Sequence, residues 1–225
     1  LNAVVQGSPA DQTEGLLLTE DSSLTRFAQS SIHQHVAEKN GTLVLRVVLG
    51  KKIAVVTTNI LTRSSVKASI ERAIALAKVQ HPNDAFVSLP EPSSIPRLET
   101  YCEGISRLTP AKKVKMIKAL LRLLRGKGFD ASGAFSNGQV ELAVVNSLGV
   151  EAYQKYSDLF FHLIAENGRG TGYASFVARD PDSFDIDALA QEAICKVSKA
   201  EPISVEPGEY EVILEPHAVS ELLSF

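Results

Sequence analysis

TLVLRVVLGKKIAVVTTN, residues 42–59, decides the fold class. Two runs rich in Val, Leu and Ile flank Gly50, and neither shows the three-to-four-residue spacing of a helix. Glycine reaches positive φ without steric cost, so Gly50 suits the tight turn of a β-hairpin. The period changes immediately afterwards. In LTRSSVKASIERAIALAKVQ (61–80), Val66, Ile70, Ala73, Ile74 and Ala77 line one helix face and Thr62 stands where an N-cap belongs. Upstream, GLLLTED, LTRFAQ and IHQHVAEK extend the strand pattern back to Glu14, giving a β-meander followed by an amphipathic helix.

The same block recurs. Residues 81–109 are rich in Pro, Ser and Glu and read as a connector, with IPRLETYCEGI apolar enough to be ordered. LTPAKKVKMIKALLRLLRGKG (108–128) is a helix with Thr109 as N-cap, Pro110 at its first position and Gly126 or Gly128 at its end. Strands are expected at DASGAFS, VELAVVNS, VEAYQKYS, DLFFHLIAEN and TGYASFVA, with Asn137-Gly138 and Leu148-Gly149 as turns. The helix DIDALAQEAICKVSKA (185–200) then buries Leu189, Ile194 and Val197. Two such blocks indicate an internal duplication and an α+β fold: repeated antiparallel meander-plus-helix units packed as sheets and helices, not a parallel doubly wound sheet. The expected division is 1–108 for the first unit and its connector, 109–205 for the second, and 206–225 for the start of a further domain. That last part opens with the alternating GEYEVILEP, breaks at Glu215-Pro216 and begins a helix. With no initiator Met, and with Leu222, Leu223 and Phe225 forming an apolar stripe at the end, the chain reads as the N-terminal portion of a longer protein.

Composition narrows the function classes. The chain has 225 residues, 44% hydrophobic and 22% charged, with a formal net charge of -3, so no overall basic field draws it to nucleic acid. No apolar run is long enough for a bilayer, and no secretory signal opens the chain. Cys102 and Cys195 are far apart without a CxxC neighbour, which fits a reducing, cytoplasmic compartment.

TRFAQSSIHQHV, NGTLVLRVVLGKKIAVVTTN, ERAIALAK, NSLGVEAYQKYSD and PGEYEVILEP together resemble, in that order, successive segments of the TldD/PmbA family, also called modulators of DNA gyrase. The likeness runs from about Ala10 to Phe225. It implies a cytoplasmic, zinc-dependent peptidase acting on unfolded or modified peptides. In that family one subunit carries a zinc motif of the form HExxxH and a paralogous subunit lacks it; the two form a heterodimer, while other members pair with themselves.

His217 and Glu221 stand four residues apart on the last helix, which is how a metal site begins. A zinc peptidase needs two imidazoles on one helix face, a further ligand, and a glutamate beside the first histidine as general base. Here Ala218 follows His217 and no second histidine lies one turn on. By the resemblance, the His-Glu pair of zinc-bearing members falls at Ser224-Phe225, where neither residue can do that work. The chain therefore resembles the zinc-lacking, PmbA- or TldE-like subunit. No catalytic, cofactor-binding or metal-ligating residue is assigned to it; zinc is expected in a catalytic partner subunit, and the chain is expected to pair with a zinc-bearing TldD-like paralogue as a heterodimer or with itself as a homodimer.

The remaining histidines read as structural. His33 and His35 alternate on one strand face without a third ligand, His81 follows a helix end, and His162 sits in the apolar run LFFHLIA as a hydrogen-bonded buried histidine. NGRGTGYAS (167–175) lacks the GxxxxGK[ST] pattern and reads as a hairpin turn. The helix at 110–127 supports an alternative function. Lys112, Lys113, Lys115, Lys118, Arg122, Arg125 and Lys127 have no acidic neighbours, and Val114, Ile117, Leu120, Leu121 and Leu124 form the opposite stripe. Such a face is either simply solvated or the contact surface of an interaction module that modulates a DNA enzyme or its inhibitor.

Overall fold

The computed structural model describes residues 1–198 and 203–224. The end of the expected helix at 199–200, and Phe225, lie outside the described residues.

A short helix α1 (Asn2–Gln6) precedes three strands, β1 (Gln12–Ala28), β2 (Ser31–Leu49) and β3 (Lys52–Thr58), and helix α2 (Arg63–Val79). After the connector, with its four-residue helix α3 (Glu103–Ser106), come α4 (Pro110–Gly126), β4 (Asp130–Asn146), β5 (Glu151–Glu166), β6 (Thr171–Ala178), α5 (Ile186–Ser198) and α6 (Pro216–Leu223). The strands form one antiparallel sheet in the order β3-β2-β1-β4-β5-β6. That order is symmetric about its centre: each half is a three-stranded meander, and the first strands of both halves pair in the middle.

Local signals are obeyed where they are strong. Gly50 turns at φ +57 between β2 and β3, and Thr62 and Thr109 cap α2 and α4 by accepting from Ser65 N and Lys112 N. The connector is ordered: Thr100 bridges to Tyr156 of β5, and Cys102 N donates to Ser157 Oγ at 2.9 Å.

Other expectations are corrected. GLLLTED and LTRFAQ are one strand, as are IHQHVAEK and TLVLRVVL, and VEAYQKYS and DLFFHLIAEN, so there is one sheet of long strands instead of several short ones. Asn137-Gly138 is not a turn. It continues β4, paired with Ser23 and Ser22 of β1 on one side and with Leu159 and Asp158 of β5 on the other. Hydrogen bonding to both neighbours overrides the turn preference of the dipeptide. GEYEVILEP forms no strand: it has no ladder partner among the described residues, and Ile213 is fully exposed.

Helices α2, α4 and α5 cover one face. Phe27, Phe135, Phe161 and Leu163 of the sheet pack with Ile117, Leu120 and Leu124 of α4 and with Leu189 and Ala193 of α5. Phe135 meets Phe161 edge to face at 5.4 Å between ring centres, an arrangement that adds about 0.5–1.5 kcal/mol beyond burial. α2 closes a smaller core over Leu43, Leu45, Val47, Ala54 and Val56.

At β6 the helix comes so close that a Cβ on Gly172 would sit 2.0 Å from Ala193 O and 2.9 Å from Val197 N of α5. Backbone cannot yield as a flexible side chain does. Gly172→Ala should therefore lower stability by about 2–3 kcal/mol in urea denaturation. Gly126→Ala, in open space at the end of α4, should be neutral or gain about 0.5 kcal/mol. Equal effects at both sites would contradict the close approach of α5.

Candidate functional site

The first turn of α6 carries His217, and the partner it finds is Ser175 of β6. Ser175 Oγ lies 3.3 Å from Nδ1 and 3.2 Å from Nε2, while Tyr173 meets the ring edge-on at 5.7 Å. Glu221 is exposed one turn on, and no group of three His, Cys, Asp or Glu side chains among the described residues is placed to hold a metal ion. A hydroxyl and a phenol ring beside a single imidazole do not fit a tetrahedral zinc site, which needs three protein ligands of nitrogen, sulfur or carboxylate type. No zinc chemistry can be derived from these residues. Two residues before His217, Glu215 accepts from Lys196 Nζ of α5 at 2.9 Å, and this hydrogen bond raises the lysine pKa.

The other histidines are scattered. His35 is largely exposed, with Nδ1 2.8 Å from Thr25 Oγ1; slight desolvation, then the charge of Lys113, lowers its pKa. His33 and His81 are exposed. His162 lies on the sheet face away from the helices, packed against aromatic neighbours Phe160 and Tyr173 at 5.4 and 6.4 Å rather than hydrogen-bonded within the described residues. Burial, with a smaller contribution from Arg26, lowers its pKa. NGRGTGYAS joins β5 to β6 as a turn, with Gly168 at φ +76.

On α4 the expected basic face loses one member. Lys113 is fully buried, below the helix with Ile117, Leu120 and Leu124. Its Nζ donates to Ser23 O at 3.1 Å and Ser23 Oγ at 2.7 Å and lies 5.8 Å above the Phe135 ring. Ser23 Oγ in turn donates to Asn137 Oδ1, and Asn137 Nδ2 donates to Ile105 O. One buried polar chain thus ties α4, β1, β4 and α3. No carboxylate among the described residues pairs with the ammonium, and burial lowers its pKa to about 8. Sequence reading missed this because it sorted α4 by residue type. The signal was present, since Lys113 stands four and seven residues before Ile117 and Leu120. Asp158 was also missed. It lies opposite Gly138 on the face away from the helices, its pKa raised by burial and by Glu20.

A six-stranded antiparallel sheet made of two meanders, with helices packed on it, defines an α+β domain. Residues 103–200 match the PmbA/TldA metallopeptidase central domain, and this stretch belongs to the TldD/PmbA family. Its fold is that of TldE from Thermococcus kodakarensis (TM-score 0.78, 20% identity, 85% of this chain, 45% of that one). Two proposed modulators of DNA gyrase are also similar. The Bacteroides thetaiotaomicron protein gives a TM-score of 0.81 at 18% identity over 99% of this chain and 54% of its own. The Thermotoga maritima protein gives 0.70 at 15% identity over 83% and 44%. The chain thus spans about half the length of these structures. No curated protein sequence matches it significantly. No helix among the described residues is long and apolar enough to cross a membrane.

Lys113 makes a testable contribution. Its pKa in the folded state lies below that of an exposed lysine, so the unfolded chain binds more protons between about pH 8 and 10 and stability rises with pH there. The cost of burying the charge is fully present below about pH 8. Wild-type stability should climb relative to Lys113→Met by on the order of 1–2 kcal/mol from pH 7 to 9.5. The variant should be at least as stable at pH 7, because an apolar side chain of similar length removes the charge. Parallel pH profiles in chemical denaturation would show that Lys113 is not buried as a cation.

Proposed function

We propose that this chain is the non-catalytic subunit of a TldD/PmbA-type zinc-dependent peptidase acting on unfolded or modified peptides in the cytoplasm. The observation that carries the reading is the first turn of α6, where His217 has Ser175 as its neighbour, Ala218 beside it and Glu221 one turn on. A metal-activated water needs ligands and a base that this turn does not supply. The match to a metallopeptidase central domain supports the class of reaction, and the zinc is assigned to a partner. That partner is a TldD-like paralogue carrying HExxxH; pairing of the chain with itself is the other arrangement. A subunit without metal still contributes by holding and orienting the peptide, and positioning alone supplies a large share of many rate enhancements.

The full-length protein, purified without added metal, should hold far less than about one zinc per chain and cleave no unfolded peptide above background. Mixed with the HExxxH-bearing paralogue of its genome, it should form a stable complex whose peptidase activity is lost with a chelator. About one tightly held zinc per chain, or cleavage by this protein alone that survives chelation, would sink the non-catalytic assignment. Absence of a complex, together with salt-dependent DNA binding lost on neutralising Lys112, Lys115, Arg122 and Arg125, would favour the module acting on a DNA enzyme.

A further inference from the structure

α4 is electrostatically unlike the rest of the chain. Six of the chain's 23 Lys and Arg lie within Pro110–Gly126 and none of its 26 Asp and Glu do, so the remainder carries a net charge of about -9. Lys113 is buried; Lys112, Lys115, Lys118, Arg122 and Arg125 are exposed. None of these five forms an ion pair with a described residue. Lys115, Lys118, Arg122 and Arg125 follow one another at spacings of three and four, which places them in a single strip on the solvent side, about 15 Å long at 1.5 Å per residue.

The arrangement works against the helix. Like charges three and four residues apart destabilise it by about 0.2–0.5 kcal/mol per pair, and Lys112 stands in a first turn that carries no acidic residue to match the positive end of the dipole. No acidic side chain among the described residues pairs with these charges. Arg125 is already oriented, its Nη2 donating to Ser30 O at 3.2 Å.

We propose that this strip docks acidic stretches of the polypeptides on which the assembly acts, an inference that rests on the peptide-handling function above. Three observations favour a peptide over nucleic acid. The strip is as long as about five extended residues, the length of a short Asp/Glu run. α4 presents no aromatic ring on which bases could stack. The chain outside α4 carries a net charge of about -9, which opposes a long polyanion that extends beyond the strip more than a short acidic segment.

The test is fluorescence anisotropy on the full-length protein without its zinc-bearing partner, using labelled peptides of about twelve residues in which every second residue is Glu, or Gln at the same positions. A DNA duplex of about twelve base pairs serves as the third probe. The Glu peptide should bind at least about tenfold more tightly than the Gln peptide, and raised salt should abolish the difference. Replacing Lys115, Lys118 and Arg122 together by Gln should remove that preference while thermal unfolding stays unchanged. As a less invasive check, Lys118→Gln alone should weaken the Glu peptide by about two- to fivefold. Equal binding of Glu and Gln peptides, a preference that survives the triple substitution, or tighter binding of the duplex than of the Glu peptide would each overturn the proposal. Because the assay reads binding without metal or cleavage, failure of the peptidase assignment would appear in the complex and zinc measurements instead.

Discussion

The pairing of β1 with β4, from Glu14 against Asn146 to Phe27 against Gly133, is the constraint on which the rest depends. It joins the two meanders into one sheet and sets a common face for both. Because side chains alternate across a strand, this single register aligns Phe27 with Phe135 and Phe161 beneath the helices. A slip by one residue would turn that aromatic cluster to the other side and leave α4 and α5 with no apolar surface to cover.

α4 sits over this central pairing and is held there in two ways. Ile117, Leu120 and Leu124 contribute apolar burial, which is strong but does not fix direction. Lys113 adds a directional contact, reaching Ser23 of β1 and lying over the Phe135 ring of β4. A buried ammonium is an expensive way to fix a helix in place, since its charge is removed from water without a carboxylate to face it. The two sides of α4 thus use positive charge differently: one cation is spent on positioning inside the protein and five remain on its surface.

What could be read from the sequence was what short-range chemistry determines. The Gly50 turn, the Thr62 and Thr109 caps and the apolar stripes of α2 and α4 each involve residues within one or two helical turns of one another. The lengths of the strands were not legible in this way. Asn137-Gly138 is a turn signal taken alone, but at its place in the sheet both neighbours offer ladder partners, and the choice is made by residues more than a hundred positions away in β1. The candidate site divides along the same line. The absence of a companion histidine near His217 is a local fact, plain in the sequence. Its contact with Ser175, forty-two residues away, comes from the fold alone. Lys113 is an intermediate case: the spacing placed it with the apolar residues, and the side chain's ordinary preference for water hid it.

The segment from Glu215 to His217 passes from one side of the sheet to the other around β6. Glu215 meets Lys196 on the helical layer, and two residues later His217 meets Tyr173 and Ser175 on the opposite face. A sheet with two free edges can add copies end to end without limit. This crossing obstructs one of them. The two rims of the sheet are therefore unlike: β6 is crossed by the chain's own backbone, and β3 is not crossed by any described segment.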